Sequence, residues 1–97
     1  VWSVVVEANR QGNRDVSQWQ VTHYEQVGTL AAAQDRALVL ARGLRPERPR
    51  NPRSRLVFRA QDGSLLVHIE GAVSSWHFRV SVLEFVGAFD STGQALT

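Results

Sequence analysis

A chain of 97 residues makes one domain, able to bury about two-thirds of its unfolded surface without covalent staples. With 43% hydrophobic residues general disorder is excluded, and the lack of cysteine excludes a disulfide framework, a thiolate metal site and a cysteine nucleophile. The formal charge of +2 hides a polarised molecule: residues 42–59 (RGLRPERPRNPRSRLVFR) hold seven of eleven arginines and one acid, net +6, leaving the other 79 residues at −4.

Residues 1–8 (VWSVVVEA) are rich in β-branched side chains and predict a strand, followed by turn chemistry over residues 9–15 (NRQGNRD). Residues 17–27 alternate, with Trp19, Val21 and His23 on one side and Gln18, Gln20, Thr22, Tyr24 and Gln26 on the other. This pattern predicts a second strand, hairpin-paired with the first and wet on one face.

Over residues 29–42 the period changes. Leu30, Ala33, Ala37, Leu40, Ala41 and Leu44 fall on one helical stripe, with Thr29 as N-cap and Gly43 as C-terminal stop. The small alanines predict close approach of this helix to a sheet. Pro46, Pro49 and Pro52 then forbid regular helix, so residues 45–55 are expected as an arginine- and proline-rich loop.

Residues 56–60, 64–70 and 75–85 predict three further strands. A two-residue turn at Asp62-Gly63 pairs Ala60 with Leu65, Phe58 with Val67 and Leu56 with Ile69. A turn over residues 71–74 pairs Ile69 with Trp76, Val67 with Phe78 and Leu65 with Val80. The resulting α+β fold is ββαβββ, a single antiparallel sheet with one helix on its Trp19/Phe58/Val67/Phe78 face. The opposite face then carries Val57, His68 and His77 in one row and Arg59, Leu66 and Arg79 in the next, with Arg55 opposite Glu70. Residues 91–97 are expected as a flexible tail.

Four features carry candidate chemistry. The first is the arginine cluster, Arg45, Arg48, Arg50, Arg53, Arg55, Arg59 and Arg79. Guanidinium groups fit phosphate geometry, so one reading is electrostatic, weakly sequence-specific nucleic-acid binding. A second is docking on an acidic protein patch, including that of a second copy, and a third is a solvated loop that only opposes aggregation. The second feature is a polar sheet-face group, Tyr24, His68 and His77. The two imidazoles could share a proton or bind a metal, but lack a third ligand if His23 faces the core. No metal or cofactor is therefore assigned.

The third feature is an apolar group, Leu66, Leu83 and Phe85, suited to a homodimer or partner interface. At Leu83 and Phe85 the alternation of the last strand changes parity, which implies a bulge or apolar groups on both faces. The fourth is negative: no nucleophile motif, phosphate-binding glycine loop or metal-ligand spacing occurs, and the acids are scattered along strands. No catalytic residue is assigned.

No apolar run approaches the ~20 residues of a membrane span, and no signal peptide pattern opens the chain. Missing cysteine fits the cytoplasm. Arginine in place of lysine, with abundant alanine, valine and leucine, fits a high-GC bacterial genome. Trp2 and Val4 on the first strand, Ala37, Leu40, Ala41 and Arg42 closing the helix, and Val57, Phe58, Asp62 and Gly63 in the hairpin form an ordered set. In that order the chain resembles small uncharacterised bacterial proteins, especially actinobacterial ones, and the resemblance implies a fold and no activity. The sequence thus predicts a non-enzymatic interaction domain that self-associates or binds a protein, with nucleic-acid binding through the arginine loop as the alternative.

Overall fold

A computed structural model describes residues 1–11, 17–45, 52–72 and 75–96. Five strands and one helix follow the expected ββαβββ order: β1 (Trp2–Gln11), β2 (Ser17–Gly28), α1 (Leu30–Gly43), β3 (Pro52–Arg59), β4 (Leu65–Gly71) and β5 (Ser75–Glu84). They form one antiparallel sheet in the order β2-β1-β5-β4-β3, so α1 carries the chain from one edge of the sheet to the other. Among the described residues no helix is long and apolar enough to cross a membrane.

The core lies between α1 and one sheet face. Val4 and Val6 of β1, Leu65, Val67 and Ile69 of β4, and Phe78 and Val80 of β5 are buried against Ala33, Ala37, Leu40 and Ala41. Each large apolar side chain so buried contributes about 1.5–3 kcal/mol relative to exposure. The three alanines let the helix axis approach the sheet closely. As expected, Thr29 caps α1, its side chain accepting from the Ala32 amide at 3.1 Å.

Gly43 does not end the helix in a left-handed turn. It is the last helical residue, and the Leu44 amide bonds the Leu40 carbonyl at 2.8 Å. The next carbonyls are satisfied from another element: Arg55 Nη1 donates to the Ala41 carbonyl (2.9 Å) and Nη2 to the Leu44 carbonyl (2.6 Å). The guanidinium also lies 5.9 Å from the Phe78 ring centroid.

The β4–β5 register is the predicted one, with Leu65↔Val80, Val67↔Phe78 and Ile69↔Trp76. The β3–β4 register differs by one residue, pairing Arg59 with Leu65, Val57 with Val67 and Arg55 with Ile69. The hairpin loop explains the shift. The Ala60 amide bonds the Ser64 carbonyl (2.8 Å) and the Gly63 amide bonds the Ala60 carbonyl (2.9 Å), leaving a three-residue loop with Gly63 at φ +92°. Asp62 favours it by accepting from both the Ser64 amide (2.9 Å) and the Ser64 hydroxyl (2.6 Å). A one-residue slip exchanges the faces of a whole strand. Arg55, Val57 and Arg59 therefore take the helix side, while Leu56 and Phe58 take the open side, and Ser54 rather than Arg55 faces Glu70.

A second exchange occurs on β2. The register shifts between Val6 and Glu7, where His23 and Val21 face successive β1 residues and Thr22 is the extra one. Trp19 and Val21 thereby leave the face of His23 and join that of Tyr24. Hence the predicted helix-covered face keeps Val67 and Phe78 but loses Trp19 and Phe58.

The expected loop over residues 45–55 is shortened, since β3 starts at Pro52. A proline is tolerated there because it opens an edge strand. Residues 46–51 lie outside the described residues, as do 12–16 of the first turn. The expected tail contains a small exposed hairpin, in which Phe89 bridges Ala95 and the Asp90 carboxylate accepts from the Thr92 amide at 2.9 Å.

Candidate interaction face

The sheet face not covered by α1 gains Trp19, Val21, Leu56 and Phe58 through the two register shifts. Its central row runs from β2 to β3 as Val21, Glu7, Arg79, Leu66 and Phe58, each directly opposite the next. A neighbouring row holds His77, His68 and Leu56. Tyr24 and Val5 form a third pair on the same face, toward the other end of the sheet. Phe58 is 53% exposed, Leu56 46%, Val21 58% and Tyr24 71%, so this is an uncovered apolar surface rather than a second core.

Its polar groups are largely neutralised within the face. Arg79 grips Glu7 with two parallel bonds of 3.1 Å, Nε to Oε1 and Nη2 to Oε2. The same guanidinium stacks 4.4 Å from the Trp19 ring centroid, and Trp19 meets the His77 ring edge-on at 5.3 Å. A bidentate pair with a stacked cation fixes three strands relative to one another, because Glu7, Arg79 and Trp19 come from β1, β5 and β2. His68 stands opposite His77, with its Nε2 3.7 Å from Glu70 Oε1. No group of three or more potential metal ligands occurs among the described residues.

The predicted polar site is therefore partly assembled. His68 and His77 are adjacent, while Tyr24 lies in another row of the same face. Of the predicted apolar group, Leu66 belongs to the centre and Leu83 to the periphery, opposite Ser3. Phe85 follows the end of β5 and is also exposed. The β1–β5 register runs unbroken from Ala8↔Phe78 to Trp2↔Glu84, so no bulge against β1 rescues Leu83, and apolar groups occupy both faces of β5.

The arginines separate into different roles. Arg55 caps α1 and is not a free contact; burial, with Arg45 nearby, pushes its guanidinium below the ordinary arginine range. Arg79 is bound to Glu7. Arg45, Arg53 and Arg59 are exposed, whereas Arg48 and Arg50 lie outside the described residues. Arg36, not singled out in the sequence, holds Glu25 through contacts from Nε to Oε1 and from Nη2 to Oε2. Its bond, and then that of His23 Nε2 at 2.9 Å, hold the Glu25 carboxyl below the usual carboxylate range.

A cleft of about 370 Å³ lies beside α1, on the helix side of the sheet. Leu30, Gln34 and Ala37 form its helix wall, Arg59 and residues 62–64 its turn wall, and residues 81–83 of β5 its floor. No family model matches this chain, and neither a curated protein nor a solved structure matches it.

Trp19 and Val21 of β2 and Leu56 and Phe58 of β3 are the members of the open face whose alternation in the sequence put them on the helix-covered one. For Phe58 the signal was the residue sequence Ala-Gln-Asp-Gly-Ser, which suits a three-residue loop with glycine at the left-handed position as well as a two-residue one. For Trp19 no local residue announces the extra residue at Thr22; only the hydroxyl, 3.4 Å from the Val6 carbonyl, marks the place.

Proposed function

We propose that this chain is a small non-enzymatic interaction domain whose open sheet face packs against a second copy of itself. The observation that carries the reading is the uncovered cluster of Leu56, Phe58, Leu66, Trp19 and Val21 on that face. A sheet with one covered apolar face and one exposed apolar face gains by covering the second. Aromatic, leucine and arginine side chains with internally paired charges match the make-up of an interface core. The polarised charge adds steering, since the +6 of residues 42–59 attracts the −4 of the remaining chain in another copy. The cytoplasm is the proposed location, in keeping with the absence of cysteine.

Sedimentation velocity over a wide concentration range tests this reading. A concentration-dependent shift from monomer to dimer is expected, and a Phe58→Glu variant should remain monomeric at every concentration. A wild-type chain that is monomeric throughout would overturn it.

Trp19, Tyr24 and Phe58 on one face, with Arg79 stacked on Trp19, favour a second reading as a single-strand nucleic-acid platform. Fluorescence anisotropy with a labelled oligothymidine at low and moderate salt separates the two. This reading requires binding that weakens steeply with salt and falls on Arg48→Ser/Arg50→Ser/Arg53→Ser substitution. Arg55 is left intact in that variant because its loss would unseat the helix end.

A further inference from the structure

The cleft beside α1 lies where β5 runs on past the start of β4. β4 begins at Leu65, opposite Val80, so β5 continues for residues 81–84 with β1 alone as a neighbour. On the other side of those residues, where a longer β4 would lie, the chain has turned away through residues 61–63. Alternate residues of a strand direct their N–H and C=O groups to opposite sides, so part of the backbone of residues 81–84 points into the cleft. Among the described residues no backbone bond from outside the strands and helix reaches residues 81–84. A strand edge of this kind is a template for pairing.

The walls specify what kind of strand fits. Leu30 and Ala37 of α1 and Val82 of β5 offer an apolar side to every second residue of an incoming segment. Arg59 stands at the turn end of the cleft and has no acid paired with it among the described residues. Asp62, a carboxylate on the same wall, accepts from the Ser64 amide and hydroxyl through Oδ1 and forms no ion pair with Arg59. Burial adjacent to an uncompensated guanidinium favours a carboxylate on the ligand.

We propose that this cleft binds an extended peptide, which adds a short strand to residues 81–84 of β5 and places a carboxylate against Arg59. Main-chain bonds to β5 supply the affinity, the apolar wall selects small aliphatic side chains, and Arg59 sets polarity and position.

The test uses the full chain, isotopically labelled, titrated with the peptide Thr-Val-Thr-Val bearing a free C-terminal carboxylate. Amide shifts at residues 81–84 are expected, together with slowed hydrogen exchange there. Amidation of the peptide, or Arg59→Ser in the protein, should weaken binding about tenfold, one charge-assisted bond's worth. N-methylation of the peptide backbone should abolish it. Four results would overturn the proposal: no shifts at millimolar peptide; shifts confined to the open face around Phe58 and Leu66; binding indifferent to N-methylation; or identical shifts with acetate alone, which would reduce the site to a simple anion contact.

Discussion

At the scale of single residues, arginine chemistry is decided by geometry rather than by clustering. Arg55 belongs by sequence to a basic segment, yet it spends its two terminal nitrogens on the last carbonyls of α1. Arg55→Ala should therefore lower stability by about 1–2 kcal/mol, the scale of bonds from a charged donor to otherwise orphaned acceptors, read from the urea midpoint. Arg55→Lys should recover less than half of that, because an ammonium cannot span two carbonyls as a planar fork does. Glu25 gives a pH signature. Arg36 first, and His23 second, hold its native carboxyl below the unfolded value, so the native state binds its proton less readily. The stability it adds is present above the unfolded carboxylate range, near pH ~4.3, and is lost as pH falls through the lowered native value. The urea midpoints of wild type and Glu25→Gln should differ at pH 7 and draw together as pH falls below the ordinary carboxylate range.

At the scale of elements, two local insertions decide what the sheet presents. The three-residue loop puts Phe58 outside and Val57 opposite Val67, and the extra residue at Thr22 puts Trp19 outside. Phe58→Ser should accordingly change monomer stability little, whereas Phe78→Ala, in the buried layer, should cost about 3–5 kcal/mol and leave the chain largely unfolded. Equal losses at the two positions in chemical denaturation would contradict the register. Gly63→Ala should cost about 1 kcal/mol, since a φ of +92° penalises any Cβ although space is open there. The strands, the helix and its Thr29 cap were legible from periodicity, and the β4–β5 register from the matched apolar pairs Leu65/Val80, Val67/Phe78 and Ile69/Trp76. The β2 and β3 side chains that enter the open face, Trp19, Val21, Leu56 and Phe58, were not legible, because alternation gives only relative parity along an unbroken strand. A bulge or an odd loop residue reverses that parity without altering composition. His68 and His77 were brought together as expected because they sit on the hairpin whose register was right.

At the scale of the whole molecule, the fold is a two-layer sandwich with the third layer absent: helix, sheet, and then an exposed surface with rings and leucines. The helix spans from edge strand to edge strand on the one side, which leaves nothing from the described chain to cover the other. The Glu7–Arg79–Trp19 assembly pre-forms that surface by tying β1, β5 and β2 together. A preorganised surface loses little freedom on association. Replacing Arg79 with alanine should then weaken self-association without unfolding the monomer, through release of Trp19 and an unpaired Glu7.

Sedimentation equilibrium of the wild-type chain beside Phe58→Glu tests the interface most directly. The account predicts a reversible dimer for the wild type and a folded monomer, with unchanged far-ultraviolet dichroism, for the variant. A wild type that stays monomeric, or a folded Phe58→Glu chain that dimerises as strongly, would contradict it.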